Sequence, residues 1–446
     1  MVRNRKAKLS LLVAAGLLVA AGCASESAPQ DTSGDTPQMA VDIPQVTVNF
    51  VNKPYFDHSQ GSIGVEMGFF EDAGITISPD PNGGVVNAGD AVSVFASGRY
   101  DVMSASAQLL LPAAESIPPY KAFVLADLFV GYAVMAQPDA GYKSVQEFVD
   151  DGLDRGAALS AAAAQLSGKT FTYPSDAAIR GFIDQVFQAG GIEISDVNSL
   201  VTDESQTVQA METGAADFQT GGVPSHLTLG TGGFKSIITS GDVAAAAEAS
   251  AESSALTAVF YDGWVASDEW LENNHDTALR LASVSLRIND YILNNTDEAL
   301  AIHVPFLNSI AGTDFSLDTG RVAYESLHPF LSVDGMSAVF EDENSPLNEK
   351  YVLGSAILKA ELDGALPAGK YNVESFSIAK DIFAELMQLR SDAERDILLV
   401  KEAIAADAVS DSVQATEYLE NAEKFMSYFN YLDSSRFAAA AVAFIE

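Results

Sequence analysis

The chain has 446 residues, with 61 acidic against 24 basic side chains, a formal net charge of −37, and a single cysteine. Such a surface repels nucleic acid and anionic lipid headgroups. One thiol at position 23 also excludes disulfides, cysteine-based metal sites and thiol catalysis from the body that follows it.

The first elements are targeting ones. Met1–Lys8 is basic, Leu9–Ala21 is apolar, and Gly22-Cys23 follows. That is the layout of a secretory signal, and it is short for a permanent spanning helix. Ala20-Ala21-Gly22-Cys23 resembles a bacterial lipobox, with Ala20 where leucine is usual. The resemblance implies that residues 1–22 are a lipoprotein signal peptide and that Cys23 becomes the acylated first residue. Acyl chains would then tether the protein to the outer face of a membrane. Residues 23–40, rich in Ser, Asp, Pro, Gln, Thr and Gly, read as a flexible linker. Removing the signal removes four basic residues and no acid, leaving 20 basic against 61 acidic side chains, a net of −41. The acids form no single block, which suits solubility in a salty medium, where counterions screen self-repulsion.

The remaining 400 or so residues suffice for two or three domains. Val46–Val51 alternates like a strand, Gly61–Glu71 reads as a helix, and Ile75–Ser78 as a second strand. Asp90–Ser97 is a helix stopped by Gly98, and Tyr100–Met103 a third strand. This β-α-β-α-β run argues for a parallel sheet with helices on its faces. A second block repeats it. Tyr132–Met135, Lys169–Tyr173, Val197–Val201 and Ala216–Phe218 are its strands. Ser175–Ala189 and Glu204–Thr213 are its helices, and Gly152–Gln165 is an inserted Ala-rich one. After a strand at Val259–Tyr261 the pattern is largely helical. Asp268–Asn274, Thr277–Asn294, Ser375–Leu389, Asp392–Ala405 and Thr416–Leu432 read as helices, with a short one at Phe437–Ile445.

Six short patterns in order carry a family resemblance. They are Gly68-Phe-Phe-Glu-Asp-Ala-Gly-Ile75, Ala96-Ser-Gly-Arg-Tyr-Asp-Val102, and Lys143–Phe148 with Leu166–Lys169, split by the insertion at Val149–Gln165. Ala189–Ile192 with Asp196-Val197 and Met211–Asp217 complete the set. Together they resemble the nitrate/sulfonate/taurine and thiamine-precursor (pyrimidine) substrate-binding proteins of bacterial ABC importers, over about Val46–Ala299. The resemblance implies a two-lobed periplasmic-binding-protein-like fold of type II, with crossings near Gly131–Gln137 and Thr257–Ala266. Lobe one is then 41–133 plus 258–374 and lobe two 134–257. A helical extension, 375–446, lies beyond the family pattern.

In open parallel sheets, ligands bind outside the carboxyl ends of the strands. The loops so selected offer Tyr55, Asp57, His58, Asn82, Ser104 and Ser106 from the first block. The second block offers Ser175, Asp176 and Gly222, and the second crossing offers Tyr261 and Trp264. Ser104 and Ser175 sit at strand-to-helix turns, where an ordinary helix cap explains each equally well. Tyr55, Phe56, Tyr261 and Trp264 are candidates for an aromatic clamp, Phe56 being the one best explained by core packing. Asp57-His58 resembles the Asp/Asn-His pair of thiamine-precursor binders. An anion site would want a cation, and Lys53, Lys169 and Arg180 are the candidates. Aromatic faces beside Asp57 and His58 suit a nitrogen heterocycle or amine better.

The reading is therefore an extracytoplasmic solute-binding lipoprotein that delivers a small organic nutrient, sulfonate-like or heterocycle-like, to an ABC permease. It is expected to be monomeric and not an enzyme, with no cofactor, no metal and no catalytic residue. Two alternatives remain open: an enzyme of the thiamine-pyrimidine-synthesis type on the same fold, whose cysteine-rich iron motif is absent here, and a lipoprotein sensor or scaffold using the acidic helical extension.

Overall fold

A computed structural model describes residues 41–446 except 176, 251–257 and 346. The signal, Cys23 and the linker lie outside the described residues. Strands β1 (Val46–Asn52), β2 (Ile75–Ser78), β3 (Gly84–Val85), β4 (Val102–Ser104) and β5 (Tyr120–Phe129) belong to a first sheet, together with β11 (Phe260–Ser267). Its order is β2-β1-β4-β11-β5, with β3 also on β1. Strands β6 (Ala133–Ala136), β7 (Thr170–Tyr173), β8 (Asn198–Val201), β9 (Phe218–Gln219) and β10 (Lys235–Thr239) form a second sheet, ordered β10-β6-β9-β7-β8. Each sheet mixes parallel pairs with one antiparallel member. β11 runs antiparallel to both β4 and β5, and β6 antiparallel to both β9 and β10. The chain is thus two mixed α/β layers linked through β5–β6 and through the return into β11.

The local chemistry follows the sequence reading in most places. The predicted helix over Gly61–Glu71 is two helices, Gln60–Glu66 and Phe69–Asp72. They are broken at Gly68, whose φ of 70° is open to glycine at no steric cost. The predicted helices over Ser375–Leu389 and Asp392–Ala405 are one, Ala379–Ala405. The inserted segment holds two helices, Val145–Asp150 and Arg155–Ala164, the first closed by a capping box between Ser144 and Glu147.

The C-terminal region is part of the fold rather than an appendage. β5 lies at the edge of the first sheet, and two later segments bond along it. Leu128 and Val130 donate their N–H groups to Pro329 and Leu327, and Leu331 donates to Ala126. Ala122 donates to Phe376 and accepts from Ile378. An exposed edge is an aggregation hazard, and here it is covered. The helices Ala379–Ala405, Ser412–Ser427 and Tyr431–Val442 then close an antiparallel bundle with its own core of Val400, Ala422, Phe425 and Phe437. The first of them also buries Ile382, Phe383 and Leu386 against the main core. The bundle is fastened to helix His275–Asn294 by a buried fork: Arg280 donates to both oxygens of Asp433 at 2.9 and 2.8 Å. Asn430 donates to the same carboxylate at 2.7 Å. Nearby, the Arg287 guanidinium lies 4.0 Å from the ring centres of both Phe69 and Tyr428 and bonds Asp72 at 2.9 Å. Among the described residues, no helix is long and apolar enough to cross a membrane.

Candidate functional site

A narrow cleft, with a cavity volume of about 40 Å³, lies where the two sheets meet. Its walls come from both. Lys53, Tyr55 and Asp57 follow β1; Ser106 and Leu109 follow β4; Phe129 ends β5; Phe260 and Asp262 lie on β11. Opposite stand Tyr132 at the crossing and Ile179 on helix Ala177–Gly190. Glu204 just after β8 and Gly222-Val223 just after β9 complete that side. These are the ends of the strands where an open α/β sheet leaves backbone groups free for a ligand. The aromatic rings pack tightly across the crossing: Phe129 stacks on Phe260 at 4.6 Å and meets Tyr132 at 4.5 Å. A larger groove, lined in part by Glu349, Lys350 and Tyr371, lies on the C-terminal helices away from this junction.

The floor of the cleft is polar, buried and incompletely paired. His58 is 1% exposed. Its Nδ1 is 2.6 Å from Ser104 Oγ, while its Nε2 faces Asp57 Oδ2 at 3.5 Å and Asp262 Oδ1 at 3.9 Å. Lys53 Nζ reaches the same Asp262 oxygen only at 3.9 Å, beyond hydrogen-bond length. Asp262 lies directly across the strand pair from Asp127, another fully buried carboxyl, beside His328 at 3.8 Å. Among the described residues, no hydrogen-bond partner serves His58 Nε2, either ring nitrogen of His328, or any carboxylate oxygen of Asp127 and Asp262. Native cores rarely leave so many buried polar atoms unserved, and each is expensive.

The electrostatics follow from that burial. Desolvation pushes the Asp262 carboxyl well above the usual range, with Asp57 adding to the rise and Lys53 opposing it. Desolvation also raises Asp57, with the neighbouring Asp262 carboxyl and the Lys53 charge opposing the rise. Asp127 is raised by burial and then by the charges of Asp262 and Asp57. The histidines move the other way: burial holds His58 well below its ordinary value and brings His328 to about 3. Perturbed groups gathered in a cleft are a signature of a functional site.

The expected site residues fall into three groups. Tyr55, Asp57, Ser106 and Gly222 line the cleft, and His58 and Ser104 stand directly beneath it. Of the three candidate cations only Lys53 is there. Lys169 lies 5.9 Å over the Tyr142 ring, and Arg180 bonds Asp184 on its own half-exposed helix. Four expected residues lie away from the cleft. Trp264 is fully buried in the first lobe's core, edge-on to Phe50 at 5.3 Å and stacked near Phe70 at 6.1 Å. Tyr261 alternates away from Phe260 and Asp262, and its hydroxyl donates to the Leu347 carbonyl. The rings that line the cleft are Tyr55, Phe129, Tyr132 and Phe260, and Phe56 packs on Phe315 at 5.3 Å in the core. Asn82 is a turn residue whose carbonyl accepts from Asn52, away from the lining. Ser175 is exposed in the bend after β7, and Asp176 lies outside the described residues.

The sequence reading passed over Glu204, Asp127, His328, Phe129 and Tyr132. One signal was present for the acids. Asp127 and Asp262 are single charges inside otherwise apolar strands, Ala122–Val130 and Val259–Val265. A charge in such a run needs a partner or a purpose.

Residues 161–299 match the family model described as NMT1/THI5 like. No curated protein matches the sequence. Among solved structures, the fold is similar to the periplasmic nitrate-binding protein NrtA from Synechocystis PCC 6803. That pair has a TM-score of 0.52 and 16% identity over 77% of this chain and 89% of that one. It is also similar to the sulfonate-binding protein SsuA from Methylobacillus flagellatus KT, at TM-score 0.52 and 13% identity over 78% and 96%. The aliphatic sulphonate binding protein SsuA from Escherichia coli gives 0.51 and 10% over 76% and 98%. Identities this low speak for the fold alone. The matched segment is thus similar to the NMT1/THI5-like family, and the chain as a whole shares the two-lobed α/β scaffold of these structures.

Proposed function

We propose that the protein is the extracytoplasmic solute-binding component of an ABC importer. In this reading it is tethered through Cys23 and captures a small nitrogen-bearing organic nutrient, with a heterocycle the best fit. The observation that carries this is the cleft itself. Its walls come from both sheets, the chain crosses beside it at Phe129–Tyr132, and its floor keeps unpaired polar atoms. Proteins of this architecture close by hinge motion around a ligand. The similar solved structures are described as periplasmic nitrate- and sulfonate-binding proteins, which supports the binding and extracytoplasmic parts of the reading. The ligand class follows from the lining. Asp57, Asp262 and Glu204 outnumber the one ammonium of Lys53, and four aromatic rings line the cleft. A bare sulfonate or nitrate would meet more acid than base there.

The test is a thermal-shift screen of pyrimidines, other nitrogen heterocycles, amines, sulfonates and nitrate. A ligand at a hundredfold over its Kd adds about 2.7 kcal/mol to the folded state. A shift with a nitrogen compound, lost in Phe260→Ala and Glu204→Gln, supports the reading. Silence across the whole panel sinks the binding-protein role, and a response to sulfonates alone sinks the ligand class.

A further inference from the structure

We propose that Asp57, His58 and Asp262 hold one divalent transition-metal ion of the zinc class at the floor of the cleft. Three potential ligand atoms, one from each residue, lie within 4.8 Å of one another, all buried. An imidazole nitrogen with two carboxylates suits zinc and its neighbours among the first-row metals. The two carboxylates would offset the charge of a divalent ion.

The convergence calls for a cation. His58 Nε2 and both Asp262 oxygens are buried with no hydrogen-bond partner among the described residues, and Nε2 stands 3.9 Å from Asp262 Oδ1. Ligands about 2.1 Å from a tetrahedral ion stand about 3.4 Å apart. The observed 3.5 Å from Nε2 to Asp57 and 3.9 Å to Asp262 are near that spacing, and the three ligand atoms all lie within 4.8 Å of one another. The rest of the imidazole is already arranged. Ser104 Oγ sits 2.6 Å from Nδ1, in position to receive the Nδ1–H and turn the Nε2 lone pair toward the metal. A hydrogen bond at the far ring nitrogen is what metal-bound histidines use to fix tautomer and orientation. Lys53 is the one nearby obstacle. Its ammonium touches Asp262 only at 3.9 Å, so it loses little by turning aside. Asp57 and Asp262 also line the cleft, which leaves the open coordination positions facing a bound solute. A heterocycle nitrogen is a natural fourth ligand.

The three residues are distant in sequence, and nothing in their spacing announces a metal motif. β1 and β11 bring them together. The metal site needs no organic ligand, so it stands or falls separately from the importer reading.

The experiment is zinc titration by calorimetry on the full chain carrying Cys23→Ser, which has no thiol. A cobalt(II) absorption spectrum gives a second readout. His275 with Glu385 is the exposed pair that would bind zinc adventitiously, so His275→Gln is the control background. One zinc per chain is expected in that background. His58→Gln or Asp262→Asn should weaken it at least a hundredfold, and Ser104→Ala tenfold or more. Lys53→Met should tighten it severalfold, and this gain does not depend on a damaged fold. Absence of zinc binding in the control background overturns the proposal. So does binding that His58→Gln and Lys53→Met both leave unchanged.

Discussion

Two buried polar clusters in this molecule are built on opposite terms. At the seam between helix His275–Asn294 and the C-terminal bundle, Arg280 and Asp433 are each 1% exposed at the side chain, and every contact is met by a matching fork. At the cleft floor, Asp262, Asp127, His58 and His328 are equally buried, and their atoms point at one another without bonding. The first arrangement fixes one packing. The second keeps acceptors available for something that is added. Buried charge alone therefore does not mark a site; buried charge left unserved does.

The sharpest way to break this contrast is at the seam. Arg280→Ala strands Asp433 in the interior and should cost about 3–5 kcal/mol in denaturant unfolding. Replacing both by leucine should recover most of that loss, because the pair's function there is packing. A cost below 1 kcal/mol for the single change would mean that the bundle is only loosely attached.

The next effect is on the pH dependence. His303 and His328 are buried and neutral, with values near 4 and 3 against an ordinary 6.5. The folded state binds fewer protons than the unfolded one below pH 6.5. Their contribution is thus complete above 6.5 and is lost as pH falls toward 4 and 3. Each steepens the acid loss by up to about 1.4 kcal/mol per pH unit. Unfolding of His328→Gln across pH 7 to 4 should show a shallower slope than the parent. Equal slopes would mean that His328 is not held neutral.

At the cleft floor the expected sign reverses. Asp262 holds its proton above the ordinary range, so its ionised form strains the fold as pH rises through the raised value. Asp262→Asn should therefore be neutral or stabilising by about 1 kcal/mol at pH 8 while removing ligand capture, the trade expected of a functional residue. Marked destabilisation would move Asp262 into the same structural class as Asp433.

The smallest expected effect concerns the crossing. A Cβ on Gly131 would come within 2.5 Å of Val223 Cγ2, which belongs to the opposite wall. Gly131→Ala should disfavour the closed arrangement and weaken ligand binding about tenfold, or about 1.4 kcal/mol. Unchanged affinity by titration would show that the lobes do not approach in this way.

Much of this was legible in the sequence because the signals were local. The helix–glycine–strand punctuation at Gly74, Gly98 and Gly214 marks real element ends, and Asp57-His58 falls at the end of β1 where loops carry ligands. What was not legible depends on pairing across long separations. β5 was missed because a strand buried on both faces shows no alternation, and its outer edge is satisfied by residues two hundred positions later. Trp264 and Tyr261 were misplaced because facing depends on the register of β11, which shifts twice against β5. The helix Ala379–Ala405 was divided because Arg390-Ser391-Asp392 reads as a break, although it is only a polar stretch along one continuous helix. The bundle's attachment rests on Arg280 meeting Asp433, which no spacing rule reveals.

The most direct measurement compares ligand-induced thermal shifts in the parent, in Asp57→Asn, and in the Arg280→Leu/Asp433→Leu pair. The account predicts that a nitrogen heterocycle or amine stabilises the parent and the leucine pair alike, and that Asp57→Asn abolishes the shift. A shift that survives Asp57→Asn but disappears in the leucine pair would place ligand capture at the bundle and contradict the account.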